Sequence, residues 1–244
     1  MFSDLIEGII FQPDAHVGRP PPGVEERWMQ TGDGVRLHAW YASGGRDAPS
    51  LIWSHGNGGN IAGRGDVLLA LAGRGLNVLA YDYRGYGKSG GRPSESGVYR
   101  DAEAAYDSER RSGVPAKRIV AFGESLGGAV SVSLARNRPC AGVALVSTFT
   151  NLRDVARDHF GPLALFAGER FNSLDGVRAL TVPVFIAHGD QDEVVPYDLG
   201  QRLFAAANQP KQFLQVRGAH HNDVFAAPGL LDAIAAFARR CAAA

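Results

Sequence analysis

The sequence predicts an α/β fold in which a mostly parallel β-sheet is covered by helices on both faces. Short apolar runs alternate along the chain with stretches of helical pattern, the order typical of strand–helix–strand units. The apolar runs show no polar alternation, which is typical of strands buried on both faces. The chain has 244 residues and no internal repeat, so we expect residues 1–244 to form one domain with a large core.

Charge and cysteine content exclude several classes of protein. The chain has 25 Lys and Arg against 25 Asp and Glu, so it lacks the broad basic field that attracts nucleic acid or an anionic membrane. Two cysteines, Cys140 and Cys241, are too few for a disulfide framework and favour a reducing compartment. Cysteines and histidines do not cluster as metal ligands do, and we expect neither a metal nor an organic cofactor. The pattern makes no prediction about oligomeric state.

Residues 1–24 predict a helix followed by a proline-rich linker. Apolar residues recur there at spacings of three and four, the pattern of one helical face. They are Phe2, Leu5, Ile6, Ile9 and Ile10. The run is short and acidic, with no basic residues ahead of it, so we interpret it as neither a signal peptide nor a membrane span. We expect a helix docked on the domain, a cytoplasmic location and no membrane association. The alternative is a lip of the active site or a membrane-surface contact.

The remaining elements follow from local pattern. Residues 27–31 and 35–41 predict two strands joined by a turn at Gly32-Asp33-Gly34. Further strands are predicted at 50–54, 78–81, 119–122, 142–146, 184–187 and 212–216. Helices are predicted at 61–74, 95–111, 127–137, 197–207 and 229–240. Residues 148–182 exceed a plain crossover and are studded with aromatic residues, which indicates a small cap over the site. The alternative is an ordinary crossover helix with a surface loop.

One motif carries nucleophilic chemistry. Gly123-Glu124-Ser125-Leu126-Gly127 matches G-x-S-x-G and stands directly after a predicted strand and directly before a predicted helix. A serine at such a turn exposes its hydroxyl, and the flanking glycines let neighbouring chain approach closely. The helix N-terminus directs the amide of Leu126 toward a developing oxyanion. The pattern therefore predicts Ser125 as a nucleophile, with a plain glycine-rich turn as the alternative.

A serine hydroxyl needs a base, and the base needs an acid. His221 follows the last predicted strand and is the preferred base, with His220 as its competitor. Asp190, Asp192 and Glu193 follow the strand 184–187, and residue type alone does not choose among them.

A second oxyanion donor is expected in the loop His55-Gly56-Asn57-Gly58-Gly59-Asn60, which follows the strand 50–54. Its glycines allow a backbone amide to turn inward, and the amide of Asn57 is the candidate. We interpret His55 as structural, with its ring bonded to loop backbone.

Together these motifs, with Asp82-Tyr83-Arg84-Gly85-Tyr86-Gly87-Lys88-Ser89, resemble the α/β-hydrolase superfamily. Within it the chain looks like the small-lid group that includes the Bem46-like and ABHD13/ABHD17-like proteins. The resemblance covers residues 25–240 and implies an eight-stranded, mostly parallel sheet whose second strand is antiparallel. It selects Asp192 as the acid and implies a triad of Ser125, Asp192 and His221. It also implies oxyanion amides from Asn57 and Leu126.

The sequence departs from this family in two respects. Members often have glycine where His220 stands. Eukaryotic relatives often carry a membrane anchor or a cysteine cluster for lipidation, which are not seen here, and this argues against a membrane role or protein depalmitoylation.

The expected function is a serine hydrolase that cleaves carboxylic esters of small to medium acyl chains through an acyl-enzyme. Phe149, Phe160 and Phe166 are predicted substrate contacts, and the partner is a small-molecule ester. Thioesterase, amidase or peptidase, and acyltransferase reactions share the same triad and stay open. A non-catalytic binding protein that retained the fold is the alternative from another class.

Overall fold

The computed structural model of the protein describes residues 10–160 and 168–243, without the side chains of residues 158–160. The helix predicted for the first ten residues, apart from Ile10, lies outside these ranges. The predicted substrate contact Phe166 also lies outside them.

An eight-stranded sheet forms the centre of the molecule, in the order β10-β9-β8-β7-β4-β6-β3-β2. Its strands are β2 (Val24–Gln30), β3 (Arg36–Ala42), β4 (Ser50–Ser54), β6 (Asn77–Tyr81), β7 (Ile119–Glu124), β8 (Gly142–Val146), β9 (Val184–Gly189) and β10 (Lys211–Val216). A separate two-stranded sheet pairs β1 (Gln12–Pro13) with β5 (Gly58–Gly59).

Strand β3, the second strand of the main sheet, runs antiparallel to both of its neighbours, and every other pair in that sheet is parallel. The expected eight-stranded, mostly parallel sheet is therefore confirmed. The turn between β2 and β3 contains Gly34 at φ 86°, and the amide of Thr31 donates to the carbonyl of Val35 across it. Glycine suits this position because a left-handed φ costs it no steric strain.

Helices follow the strands in sequence and cover both faces of the sheet. They are α1 (Gly65–Ala72), α2 (Glu95–Arg111), α3 (Leu126–Asn137), α4 (Leu152–Phe160), α5 (Ser173–Arg178), α6 (Tyr197–Ala206) and α7 (Leu230–Ala243). The core divides into two apolar clusters separated by the sheet, with Ile52 and Leu79 in one and Trp53 and Val78 in the other. Neighbouring strand residues thus bury opposite faces, which explains why the strand sequences show no polar alternation.

The helix predicted over residues 61–74 differs from the structure, and the cap predicted over residues 148–182 stays a prediction. Instead of a helix over 61–74, a 3₁₀ turn at Ile61–Arg64 precedes α1. The side chain of Asn60 caps the turn by accepting from the amide of Ala62, and Gly63 and Gly65 weaken helix propagation there. Residues 148–182 contain α4 and α5, with residues 161–167 outside the described ranges, so a cap over the site stays a prediction.

No helix within residues 10–160 and 168–243 is both long enough and apolar enough to cross a membrane.

Gly200 generates the first testable prediction. A Cβ on Gly200 would overlap the ring of His188, with Cγ of that ring at 2.9 Å, and the ring is fully buried. We expect Gly200→Ala to lower the free energy of unfolding by about 1–3 kcal/mol, because the ring cannot move without disturbing the core. Gly73→Ala is the matched control, since its nearest atom would lie at 3.5 Å and its φ is −60°. It should be neutral or stabilise by less than about 1 kcal/mol. Equal urea midpoints for both variants would contradict this account.

Candidate active site

Ser125 lies between β7 and α3 in a strained backbone conformation. Its φ is 52° and its ψ is −121°, in a region that side chains other than glycine rarely adopt. Two contacts fix the turn: the amide of Ser125 donates to the carbonyl of Val146 at 2.9 Å, and the hydroxyl of Thr148 donates to the carbonyl of Ser125 at 2.7 Å. The end of strand β8 and the residues after it therefore support the conformation of Ser125.

The glycines around Ser125 are required by close approach of other chain segments. A Cβ on Gly123 would overlap the backbone of Gly127, and a Cβ on Gly127 would overlap the carbonyl of Ser54 at the end of β4. A Cβ on Gly128 would overlap the side chain of Thr148. The G-x-S-x-G pattern thus follows from the packing of this turn against β4 and the segment after β8.

The structure brings Ser125, His221 and Asp192 together, although they are far apart in sequence. Nε2 of His221 lies 3.1 Å from Oγ of Ser125, and Nδ1 of His221 lies 2.8 Å from Oδ2 of Asp192. A carboxylate only accepts, so Nδ1 carries the proton and Nε2 is left to accept from the serine hydroxyl. The arrangement can therefore remove the proton of Ser125.

Asp192 is buried, and both of its carboxylate oxygens have hydrogen-bond donors. Its Oδ1 accepts from the amides of Val194 at 3.0 Å and Val195 at 2.7 Å. Its Oδ2 faces His221 and also lies 3.4 Å from Nε2 of His188. Burial alone would raise the pKa of Asp192, but the hydrogen bonds from His188 and His221 and from the Val195 amide outweigh it and lower the pKa well below its ordinary value. Asp192 is therefore ionised at neutral pH.

The competing residues have other contacts. Asp190 accepts from the amide of Gly218 at 2.7 Å and from Nε2 of Gln215 at 2.8 Å, so it ties two loops together. His220 is exposed, and its Nδ1 lies 2.9 Å from Oε2 of Glu193. That hydrogen bond raises the pKa of His220. Neither His220 nor Glu193 contacts Ser125.

His188 is a supporting residue that the sequence reasoning missed. Its ring is fully buried, and its Nε2 donates to the carbonyl of Val195 at 2.9 Å. Within the described part of the chain, Nδ1 of this ring has no hydrogen-bond partner. The four-residue spacing between His188 and Asp192 was the one available sequence signal for this contact. The spacing alone does not predict the contact, because the two side chains meet only if the loop between them turns back on itself.

The two predicted oxyanion donors lie on separate segments. Leu126 is the first residue of α3, so its amide has no intrahelical acceptor. Asn57 lies in the loop of residues 55–60, after β4. Its side-chain amide donates to the carbonyl of Ile10, and its Oδ1 accepts from the hydroxyl of Tyr86 at 3.0 Å. These contacts fix the orientation of Asn57 while leaving its backbone amide uninvolved in them.

Buried polar side chains contact the loop of residues 55–60 and the turn that follows it. Nδ1 of His55 lies 2.7 Å from the carbonyl of Gly56, so the ring bonds loop backbone as predicted. Asp82, at the end of β6, accepts from the amide of Ile61 at 2.8 Å and lies 3.5 Å from Nε2 of His55. Burial would raise the pKa of Asp82, but the hydrogen bond from His38 and the nearby His55 imidazole lower it overall. The carboxylate of Asp82 thus anchors the loop to the sheet.

Of the three predicted substrate contacts, only Phe149 has its side chain in the described part of the structure. Phe149 is 3% exposed and packs in the core cluster that also contains Leu126 and Phe171. Phe160 ends α4, and its side chain lies outside the described part of the structure. Substrate contact by Phe149, Phe160 and Phe166 stays a prediction. In the described ranges, no group of three or more His, Cys, Asp or Glu side chains is arranged to bind a metal ion.

Comparison with known proteins identifies the family. The family model described as "Serine aminopeptidase, S33" matches residues 47–175, more than half of the chain. Human alpha/beta hydrolase domain-containing protein 17B is 34% identical over 209 residues, covering 84% of this chain and 72% of the human protein. The chain belongs to the α/β-hydrolase superfamily. The chain is therefore a hydrolase, and the family resemblance predicted from the motifs is confirmed.

The chain is also similar to a bacterial relative and to a solved structure. An uncharacterized protein of Mycobacterium tuberculosis is 42% identical over 210 residues, covering 84% of this chain and 73% of that protein. Among solved structures, an esterase from Pyrococcus furiosus superposes with a TM-score of 0.76 at 23% identity, covering 95% of this chain and 98% of the esterase. The likeness to the esterase shows a shared fold.

The low pKa of Asp192 predicts a pH dependence of stability. Its folded-state pKa lies below the value of about 3.9 expected in the unfolded chain, so ionised Asp192 stabilises the fold above about pH 4. That contribution is lost as the pH falls from about 4 through the folded-state pKa. We expect the free energy of unfolding to fall more steeply for the wild type than for Asp192→Asn between about pH 5 and pH 2. Urea unfolding at each pH measures this, and parallel profiles would contradict it.

Proposed function

We propose that the protein is a serine hydrolase that cleaves carboxylic esters of small to medium acyl chains through an acyl-enzyme intermediate. The observation that carries the proposal is the imidazole of His221, which contacts both Oγ of Ser125 and the carboxylate of Asp192. The three residues also follow one another in the order serine, acid and histidine, as in other α/β-hydrolases.

In the first half-reaction, Nε2 of His221 takes the hydroxyl proton of Ser125 while Oγ attacks the ester carbonyl carbon. The carbonyl oxygen becomes an oxyanion that accepts hydrogen bonds from the backbone amides of Asn57 and Leu126. Ionised Asp192 stabilises the imidazolium and keeps its Nδ1 proton in place. As the tetrahedral intermediate collapses, the alkoxide leaves with the proton from Nε2, and the acyl group stays on Ser125.

In the second half-reaction, His221 takes a proton from water, which attacks the acyl carbon. Collapse of the second tetrahedral intermediate returns the proton to Oγ of Ser125 and releases the carboxylic acid. The sum is one ester and one water converted to one acid and one alcohol. The chain's own residues carry every proton transfer.

Two considerations support the ester as substrate. Esterases from Pyrococcus furiosus and Rhodothermus marinus have the same fold. Residues 148–182 are too few for a large lid domain, which suits a shallow acyl pocket and therefore small to medium chains. The matching family model carries the name of an aminopeptidase, so amide substrates are the first alternative to measure. Fold alone does not choose among reactions that share a triad.

Labelling with a small fluorophosphonate tests the nucleophile. We expect one adduct on the wild type by intact mass and none on Ser125→Ala, whose ester kcat/KM should fall at least about a thousandfold. Ser131→Ala is the matched control, because Ser131 is a fully buried serine in α3 outside the triad. It should label like the wild type. A folded wild type without an adduct would favour the non-catalytic binding protein.

The same preparation then separates the reaction classes. p-Nitrophenyl esters of increasing acyl length are compared with a thioester and an anilide of matched acyl group. The proposal requires the highest kcat/KM for an ester of short or medium chain. A preference for the thioester or the anilide would agree with the proposed triad but would contradict the ester as the substrate class.

Asp192→Asn tests the role of the acid. The amide oxygen of the new side chain would accept from the Val194 and Val195 amides, so its NH₂ group would face Nδ1 of His221. Nδ1 would then have to accept, which moves the imidazole proton to Nε2 and removes the base. We expect kcat for p-nitrophenyl acetate to fall about 10⁴-fold.

Glu193→Gln is the control for that substitution, because Glu193 is a neighbouring carboxylate that pairs with the exposed His220. It should keep nearly full activity. Similar losses in the two variants would point to damage of the whole loop and would reject Asp192 as the specific acid.

A further inference from the structure

Arg64 connects the two segments that carry the proposed oxyanion amides. It ends the 3₁₀ turn that follows the loop of residues 55–60, and its side chain is largely buried. Nη1 donates to the carbonyl of Gly58 at 3.0 Å and to the carbonyl of Asn60 at 3.2 Å. Nη2 donates to Oε1 of Glu124 at 3.2 Å. One guanidinium therefore contacts both the loop and the residue that precedes Ser125.

Glu124 places this contact directly beside Ser125 in the chain. It is the last residue of β7 and directly precedes the strained turn at Ser125. Nε of Arg64 lies 3.5 Å from Oε2 of Glu124, so both carboxylate oxygens face the planar guanidinium. The two side chains are 17% and 18% exposed, which protects the pair from much of the solvent screening that weakens surface ion pairs. A planar fork of donors suits a carboxylate and two carbonyls better than a point charge does.

The loop needs such a contact because it is rich in glycine. Gly56, Gly58 and Gly59 lie within six residues, and Gly59 has a φ of 78°. Such a backbone has little intrinsic stiffness. On its far side, the loop is fixed by the pairing of β1 with β5 and by the contacts of Asn57 with Ile10 and Tyr86. On the side toward Ser125, Arg64 supplies a side-chain contact to Glu124, the residue that precedes Ser125.

We infer that Arg64, through Glu124, is a positioning residue that sets the distance between the amides of Asn57 and Leu126. The inference rests on the proposed function. Two donors on separate segments stabilise one oxyanion only when both lie within about 2.7–3.1 Å of it, so a small shift of the loop matters. Such a shift weakens transition-state binding more than substrate binding, because the charge on the oxygen develops during the reaction. Arg64 itself contacts neither the nucleophile nor the base.

Arg64→Met is the first variant, since it retains an unbranched apolar stem and removes every donor. We expect kcat for the best p-nitrophenyl ester to fall about 10- to 100-fold, with KM changed less than about threefold. Affinity for an aliphatic trifluoromethyl ketone, whose hemiketal with Ser125 carries an oxyanion, should fall by a factor similar to that in kcat. Arg64→Lys should recover only part of kcat, because an ammonium cannot reproduce the fork.

Arg74→Met is the matched control. Arg74 also contacts a carboxylate, Asp232, at 2.8 Å and a backbone carbonyl, that of Ala70, at 3.0 Å. It lies outside the proposed catalytic machinery and should keep wild-type kcat and inhibitor affinity.

Glu124→Gln is a second, independent variant that should show the same split between kcat and KM. Combined with Arg64→Met, it should add less than its single effect, because both substitutions remove one contact.

The outcomes are distinct. If Arg64→Met matches Arg74→Met in kcat and inhibitor affinity, Arg64 has no positioning role and the inference is overturned. If kcat and inhibitor affinity of Arg64→Met fall only in proportion to the folded fraction measured by urea unfolding, the contact is merely structural, which also overturns it. If the wild type forms no fluorophosphonate adduct and hydrolyses no ester, the proposed function fails on its own evidence, before any Arg64 variant is measured.

Discussion

The turn at Ser125 imposes the strictest constraint on the structure. A serine at φ 52° costs conformational energy that a glycine would avoid, and the surrounding packing has to offset that cost. Three contacts do so: β4 approaches through Ser54, Thr148 donates from just after β8, and Val146 at the end of β8 accepts the Ser125 amide. Each contact comes from the carboxyl end of a neighbouring parallel strand. The sheet order β8-β7-β4 therefore holds Ser125 in place as much as it forms the core.

Charge at the site is organised around buried carboxylates whose acceptor positions are occupied. Asp192 receives two backbone amides and faces two imidazoles, and Asp82 receives one amide and faces two other imidazoles. In both cases hydrogen bonds overcome the burial that would otherwise favour the protonated form. Both side chains follow strands at the same sheet edge. A buried ionised acid is costly unless its donors are already in place, so such loops have little freedom to move.

Structural elements that depend on local sequence pattern could be predicted from the sequence. The strands at 50–54 and 142–146 and the helix at 95–111 agree with the structure at both ends. The turn at Ser125 was also predictable, since its glycines, strand and helix are contiguous. Contacts between residues that are far apart in the sequence could not be predicted. Arg64 and Glu124 are 60 residues apart, and nothing in the spacing of either residue indicates the other. Choosing Asp192 over Asp190 also required the family pattern, because both carboxylates follow the same strand.

Under the proposed function, reactivity and specificity occupy different parts of this molecule. The proposed triad and the two segments that carry the proposed oxyanion amides lie at the carboxyl edge of the sheet, where strand register fixes their relative positions within the described structure. Specificity is expected to depend on the connection between β8 and β9, where the sequence predicts a small cap. The same site can then serve esters, thioesters or amides as that connection varies, because each reaction passes through an oxyanion at the same place. Contacts that set the oxyanion geometry, such as that of Arg64 with Glu124, would therefore affect every substrate alike, whereas residues of the insertion would distinguish between substrates.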